Sequence, residues 1–208
     1  MLKEIIFGAL SVITPSSCLV CNHRNDQGIL CRRCLPDEEL KKLNGSLHLW
    51  SYGTKAAKII TQAKYKPSPA LCVKLGEILG AALTKEENHS RIDLIVPIPP
   101  SVIHLRMRGF SHTGLIGSGV AKSLRVGISH VALKYSGTSV PQVGLSTQAR
   151  LENMKGAFRA KIDLVKDRNI LLIDDVITTG ATIEAAKQAL FEAGASAVSI
   201  ATLAKVDS

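Results

Sequence analysis

Residues 169–182 read NILLIDDVITTGAT. An apolar run, Ile170 to Ile173, ends on two adjacent acids, Asp174 and Asp175, and the chain then enters a Thr/Gly turn. A short continuous apolar run closed by a turn signal predicts a strand buried on both faces, as in a parallel sheet. Helical spacing over about 182–193 and the apolar run AVSIATLAK (197–205) complete a strand–helix–strand unit. In open parallel sheets, ligands bind beyond the carboxyl ends of strands. Asp174 and Asp175 stand at such an end.

The turn has its own chemistry. Backbone N–H groups across Thr178, Thr179, Gly180, Ala181 and Thr182, the threonine hydroxyls and the following helix N-terminus together make a phosphate receptor. Gly180 lets a ligand approach the backbone closely. A phosphate cannot lie directly against two carboxylates, so the acids need a different partner. A ribose diol supplies hydroxyl donors, and a sugar 5′-phosphate presents both groups at once. The turn is no Walker A loop, because it has neither the G-x-x-x-x-G-K-[ST] pattern nor a lysine. The plain alternative is a helix-capping turn, which needs no ligand. Capping does not call for two adjacent acids followed by Thr-Thr-Gly-x-Thr.

Upstream, the same alternation continues. Ala56, Ile59, Ile60 and Ala63 fall on one face of a helix, with Lys55, Lys58, Gln62 and Lys66 as a polar stripe beside it. Pro67 and Pro69 break that run, and a second helix is predicted over about 70–84. DLIVPIPPS (93–101) reads as a buried strand, about 111–125 as a helix and VALKY (131–135) as a strand. Residues 136–158 are rich in Ser, Thr and Gly and predict a mobile loop leading to a short helix. Helices alternating with continuous apolar strands define an α/β fold, a parallel sheet flanked by helices.

The segment to about residue 45 is different. It holds four of the five cysteines, as Cys18-x2-Cys21-x9-Cys31-x2-Cys34, and closes on the charged run DEELKKLNG. Two C-x-x-C pairs at this spacing favour a tetrahedral zinc site with no open position, hence a structural one. Zinc binding supplies roughly 10–16 kcal/mol in small modules, enough to fold a segment with little core. Two disulfides or a redox pair are the alternatives. The expected domains are therefore 1–45, an N-terminal helix with a zinc module, and 46–208, the α/β domain. Cys72 lies in an apolar helical stretch and reads as a buried thiol.

Net charge is +9, and its distribution says more than its size. No acid occurs from Leu40 to Gly76 or from Leu94 to Leu151, while basic residues run through both windows. The windows suit phosphates of a nucleotide or a nucleic acid. Solvated surface lysines are the simpler reading. No apolar run approaches the roughly 18–20 residues that span a bilayer. The N-terminal MLKEIIFGALSVITPSSC lacks a proper basic region and an A-x-A-like cleavage site. It reads as a short amphipathic helix stopped at Pro15, in a cytoplasmic protein, with association at the inner face of the membrane left open.

LLIDDVITTGAT resembles the phosphoribosyl-pyrophosphate (PRPP) motif of type I phosphoribosyltransferases. That resemblance implies that Asp174 and Asp175 hold the ribose hydroxyls, that Thr178–Thr182 hold the 5′-phosphate, and that Mg²⁺ bridges pyrophosphate and ribose oxygens. A wider set resembles the ComF family of competence proteins. It comprises PSSCLVC and CRRC, SYGTKAAKIITQAKY with Lys64 at the family's lysine, DLIVPIPPSVIHLRMRGF, PQVGLSTQARLENMKGAF and the PRPP loop. The family implies a zinc finger joined to a PRPP-binding domain. It implies handling of incoming single-stranded DNA, with a helicase and membrane-channel components as partners. By analogy with type I enzymes, Pro99, Pro100, Ser101 and Val102 form the pyrophosphate loop, with Arg106, Arg108 and Arg150 as its cations. The plain alternative for each arginine is a surface charge; Gly109-Phe110 beside Arg106 and Arg108 favours function there, and Arg150 is evenly balanced.

Two departures matter. RGFSHTG replaces the usual R-G-F-N-Q-A, placing Ser111, His112 and Thr113 where Asn, Gln and Ala are usual. Ser111 suits a helix N-cap. His104, His112 and His130 show no partner in sequence and read as surface or helix residues. Thr178 stands where purine-salvage relatives carry an acid, which argues against that design and leaves no catalytic base assigned. An active phosphoribosyltransferase in nucleotide salvage, with an unassigned acceptor, remains the alternative function.

Overall fold

The computed structural model describes residues 17–24, 28–37, 40–43, 45–66, 68–86, 91–136 and 156–206. Its elements run β1 (Lys41–Leu43), β2 (Ser46–Ser51), α1 (Thr54–Tyr65), α2 (Pro69–Leu83), β3 (Leu94–Pro97), α3 (Val102–Arg108) and α4 (His112–Leu124). They continue through β4 (Leu133–Tyr135), β5 (Phe158–Ala160), α5 (Ile162–Val165), β6 (Asn169–Ile177), α6 (Ala181–Glu192) and β7 (Ala197–Lys205). The main sheet has the order β1-β2-β7-β6-β3. All its pairings are parallel except the β1–β2 hairpin at the edge.

β6 is covered on both faces, as its sequence predicts. Leu171 and Ile173 pack with Ile59 of α1, Leu71 and Leu75 of α2, and Ile116 and Val120 of α4. Ile170 and Leu172 point the other way, into a cluster with Ile183, Ala186 and Leu190 of α6. This two-residue alternation also separates the next two side chains, Asp174 and Asp175. Each fully buried Leu or Ile contributes about 1.5–3 kcal/mol, so the strand end carrying the acids rests on a firm base.

Helix α1 buries Ala56, Ile59, Ile60 and Ala63, the face the spacing predicts. Helices α2 and α4 cross at glycines. A methyl group at Gly119 would overlap the Val73 carbonyl oxygen and lie 2.7 Å from Glu77 N. A methyl group at Gly76 would meet the Ile116 carbonyl in the same way, at 2.8 Å from its carbon. Close contact here seats the N-terminus of α4 beneath the sheet end.

The structure differs from expectation in three places. Residues 46–51, to which the sequence reading assigns no element, form β2, and β2 pairs with β7. Val102 is the first residue of α3 rather than part of a loop. Phe158 opens β5, which pairs with β4, and a short helix α5 follows. Most of the expected loop at 136–158, including Arg150, lies outside the described residues, as does the expected N-terminal helix.

The cysteine module sits against the main domain. Cys18, Leu30 and Cys31 share one apolar cluster with Leu49 and Trp50. β1, just before residue 45, already belongs to the main sheet.

Candidate functional site

Asp174 and Asp175 lie near the end of β6 and point to opposite faces. Asp174 lines a pocket with Val176, Ile177, Thr178, Thr179, Gly180, Ala181, Thr182 and Ile183. The turn is built for this. Gly180 has φ +79° and caps α6, a left-handed conformation that costs any other L-residue about 1–2 kcal/mol. The first residues of α6, Ala181 to Ile183, line the pocket, and Thr178 and Thr179 are exposed at its rim. The Asp175 N–H donates to Asp174 Oδ1 at 2.9 Å. Burial, reinforced by the Asp175 charge, pushes the Asp174 carboxyl up to about 8. An acid held this high favours a hydrogen-bonding partner over bare ionisation.

Asp175 is buried and engaged on both oxygens. Lys64 Nζ lies 3.0 Å from Oδ1, and His112 Nε2 contacts Oδ2. Burial opposes its ionisation, but the His112 hydrogen bond and the Lys64 charge outweigh that and hold its carboxyl below the usual range. The contacts continue outward. Arg108 Nη1 meets His112 Nδ1 at 3.0 Å, and the guanidinium stacks over the Tyr65 ring at 5.3 Å.

His112 is thus a helix residue rather than a surface one, and the structure gives it partners that the sequence does not show. It is buried at the start of α4, where Ser111 caps the helix by accepting from Gly114 N at 3.0 Å. Thr113 donates to the Ile98 carbonyl at 2.7 Å and ties α4 to the end of β3. Sequence spacing could not reveal the His112 contact, because its partner lies 63 positions away. His104 and His130 are exposed, as expected.

The other expected phosphate contacts fall on one segment. Pro99, Pro100 and Ser101 leave β3 half-buried, and Ser101 caps α3 by accepting from His104 N at 3.3 Å. Arg106 is exposed on α3, whereas Arg108 turns inward to His112. Cys72 is buried, with its sulfur 3.7 Å from the Ala63 carbonyl. Burial first, then the nearby Asp175 charge, raises this thiol to about 12, so it is inert.

In the N-terminal module, the Sγ atoms of Cys18, Cys21, Cys31 and Cys34 all lie within 4.8 Å of one another, and no disulfide joins them. Cys21 and Cys31 sulfurs are 3.7 Å apart, close to the edge of a tetrahedron with metal–sulfur bonds of about 2.3 Å. Two tight turns bring them together: Asn22 N donates to Cys18 O at 2.8 Å, and Cys34 N to Cys31 O at 3.1 Å. The Leu19 N–H donates to Ile29 O at 2.9 Å and joins the two turns. Burial works against a Cys18 thiolate, yet backbone N–H groups of Cys31, Val20 and Cys21 bring this thiol down to about 6. The donor set fits a metal such as zinc, which would cross-link the module when bound.

The phosphoribosyl transferase domain family matches residues 115–208, which include β6, its acids and the turn. The DNA utilization protein YhgH of Escherichia coli K12 is 25% identical over 82% of this chain and 75% of its own length. Competence protein F of Haemophilus influenzae is 28% identical over 54% of this chain and 50% of that one. The glutamine PRPP amidotransferase of B. subtilis, complexed with ADP and GMP, aligns at TM-score 0.46 and 18% identity, over 68% of this chain and 30% of that one. A parallel sheet flanked by helices, with an acid pair and Thr/Gly turn at one strand end, defines the phosphoribosyltransferase class of fold. With the four-cysteine module in front of this fold, the chain is similar over most of its length to the DNA utilization protein and over about half of it to the competence protein.

Proposed function

We propose that the protein binds PRPP at the end of β6 and acts in the use of incoming DNA, handling single strands in the cytoplasm. One observation carries the reading: Asp174 shares a pocket with a turn whose Gly180 is left-handed and opens α6. The 5′-phosphate lies on the N–H groups of that turn, and Asp174 accepts from the ribose diol. Asp175, one residue on, shapes the same strand end and is assigned to ribose through its neighbour. Pyrophosphate extends toward Pro99–Val102 and the α3 arginines, joined by Arg150. Cys18, Cys21, Cys31 and Cys34 would hold zinc as a structural cross-link, and Mg²⁺ would be brought with the ligand to neutralise its pyrophosphate charge.

The DNA part of the proposal draws on the names of the E. coli and H. influenzae relatives and on the two acid-free basic windows. Aromatic residues make up 4% of the chain, so DNA is held by backbone phosphates rather than by stacked bases. Among the described residues no helix is long and apolar enough to cross a membrane. Helicase and membrane-channel components are the expected partners.

Two measurements on the full chain test this. Affinity for single-stranded DNA should fall steeply as salt rises; salt-insensitive binding would contradict backbone contact. Incubation with PRPP, Mg²⁺ and a panel of nucleobases should leave PRPP intact. Consumption of PRPP with one base, unaffected by DNA, would replace this reading with a salvage phosphoribosyltransferase.

A further inference from the structure

The proposed ligand site leaves the chain Lys64–Asp175–His112–Arg108–Tyr65, buried at Asp175 and His112 and opening to solvent at Tyr65, unexplained. It joins α1, β6, α4 and α3 through side chains alone. Its centre is His112, the position at which this sequence departs from the usual glutamine.

We infer that His112 is a positioning residue that couples the second acid of the strand end to α3. The donor and acceptor inventory fixes how it works. A guanidinium only donates, so Nδ1 of His112 must accept from Arg108. The proton then sits on Nε2, which donates to Asp175 Oδ2. The imidazole serves one acceptor and one donor at once. A glutamine amide does the same, with its oxygen toward Arg108 and its NH₂ toward Asp175. That equivalence explains how histidine can stand where glutamine is usual.

The geometry gives the coupling a purpose. Lys64 and His112 occupy both oxygens of Asp175 and hold the end of β6 from beneath, while Asp174 faces the pocket above. Arg108 closes α3, the helix that begins where the expected pyrophosphate loop ends. A shift of α3 toward pyrophosphate is therefore felt at β6 through His112, and ribose and pyrophosphate recognition become one event. Thr113 reinforces the link through its bond to the Ile98 carbonyl.

The inference rests on the PRPP reading, and its test separates the two. In the full chain, ¹⁵N NMR of the imidazoles, with the His112 signal identified by its loss in His112→Gln, reports the tautomer. An unprotonated Nδ1 with a protonated Nε2 is expected. The opposite tautomer or an imidazolium at neutral pH would overturn the proposal, whether or not PRPP binds. Next, affinities for PRPP and for ribose 5-phosphate are compared. His112→Gln should keep both within about twofold of the parent. His112→Leu should lower PRPP affinity about tenfold or more, the usual effect of losing a hydrogen bond to a charged group. It should lower ribose 5-phosphate affinity much less. Equal losses for both ligands, or equal behaviour of Gln and Leu, would overturn it. If the parent chain binds neither ligand, the PRPP reading fails, while the tautomer still decides the role of His112.

Discussion

Asp174→Asn should make the ligand-free protein more stable while removing its ligand affinity. In the folded chain the Asp174 carboxyl is pushed up to about 8 from an ordinary 3.8, by burial and then by the Asp175 charge. A raised carboxyl favours the fold while protonated, so this stability is complete below about pH 3.8 and is lost as pH rises through about 8. At 1.36 kcal/mol per pH unit, the full displacement bounds the loss at about 6 kcal/mol. Asp174 is partly open to water on its pocket side, and screening there leaves an expected effect of about 1–2 kcal/mol. Asparagine keeps the oxygen that accepts from Asp175 N at 2.9 Å and carries no charge. Urea unfolding of parent and variant, at about pH 4, 6 and 9, follows the difference. The variant should gain nothing at the lowest pH, gain progressively through neutrality and level off above about pH 8. A variant less stable than the parent at the highest pH would refute the reasoning, because Asp174 would then be stabilised as an anion.

Three further outcomes are expected. Gly119→Ala sets a methyl group against the backbone of α2, which cannot swing aside, and should cost about 3 kcal/mol, the upper end for overpacking; an unchanged midpoint of unfolding would contradict the crossing described. Gly180→Ala forces alanine to φ +79° and should destabilise by about 1–2 kcal/mol while weakening PRPP and ribose 5-phosphate alike, as read by calorimetry. Removing metal with a chelator should shift the emission of Trp50, the chain's single tryptophan, to longer wavelength, because Cys18, Cys31 and Trp50 share one cluster. An identical spectrum with and without chelator would argue that the four thiols hold no structural metal.

How much of this was legible in sequence depends on whether the cause is local. β6, α6 and β7 were readable because a doubly buried strand and an amphipathic helix each impose a period on their own residues. The buried face of α1, Ala56 to Ala63, followed from the same rule. The turn at Gly180 was readable because only a special backbone needs that composition. β2 was hidden: its SLHLWS mixes polar and apolar residues, and its partner β7 lies some 150 positions downstream. α3 was hidden behind two prolines that suggested a loop, and its residues are almost all exposed, so no apolar period marks it. The divergence of Asp174 and Asp175 follows from strand geometry, but the partners that claim Asp175 do not. Lys64 and His112 reach it from two different helices, and only the assembled sheet end brings them together.

The central claim is that the end of β6 and the turn to α6 form a receptor for a 5-phosphoribosyl group. Titration calorimetry of the full chain with PRPP and Mg²⁺ tests it most directly, run beside the double variant Asp174→Ala/Asp175→Ala. The account predicts saturable binding of one PRPP per chain in the parent and none in the double variant, whose cysteine module should remain folded. Undiminished affinity in the double variant, or no heat of binding in the parent, would contradict it.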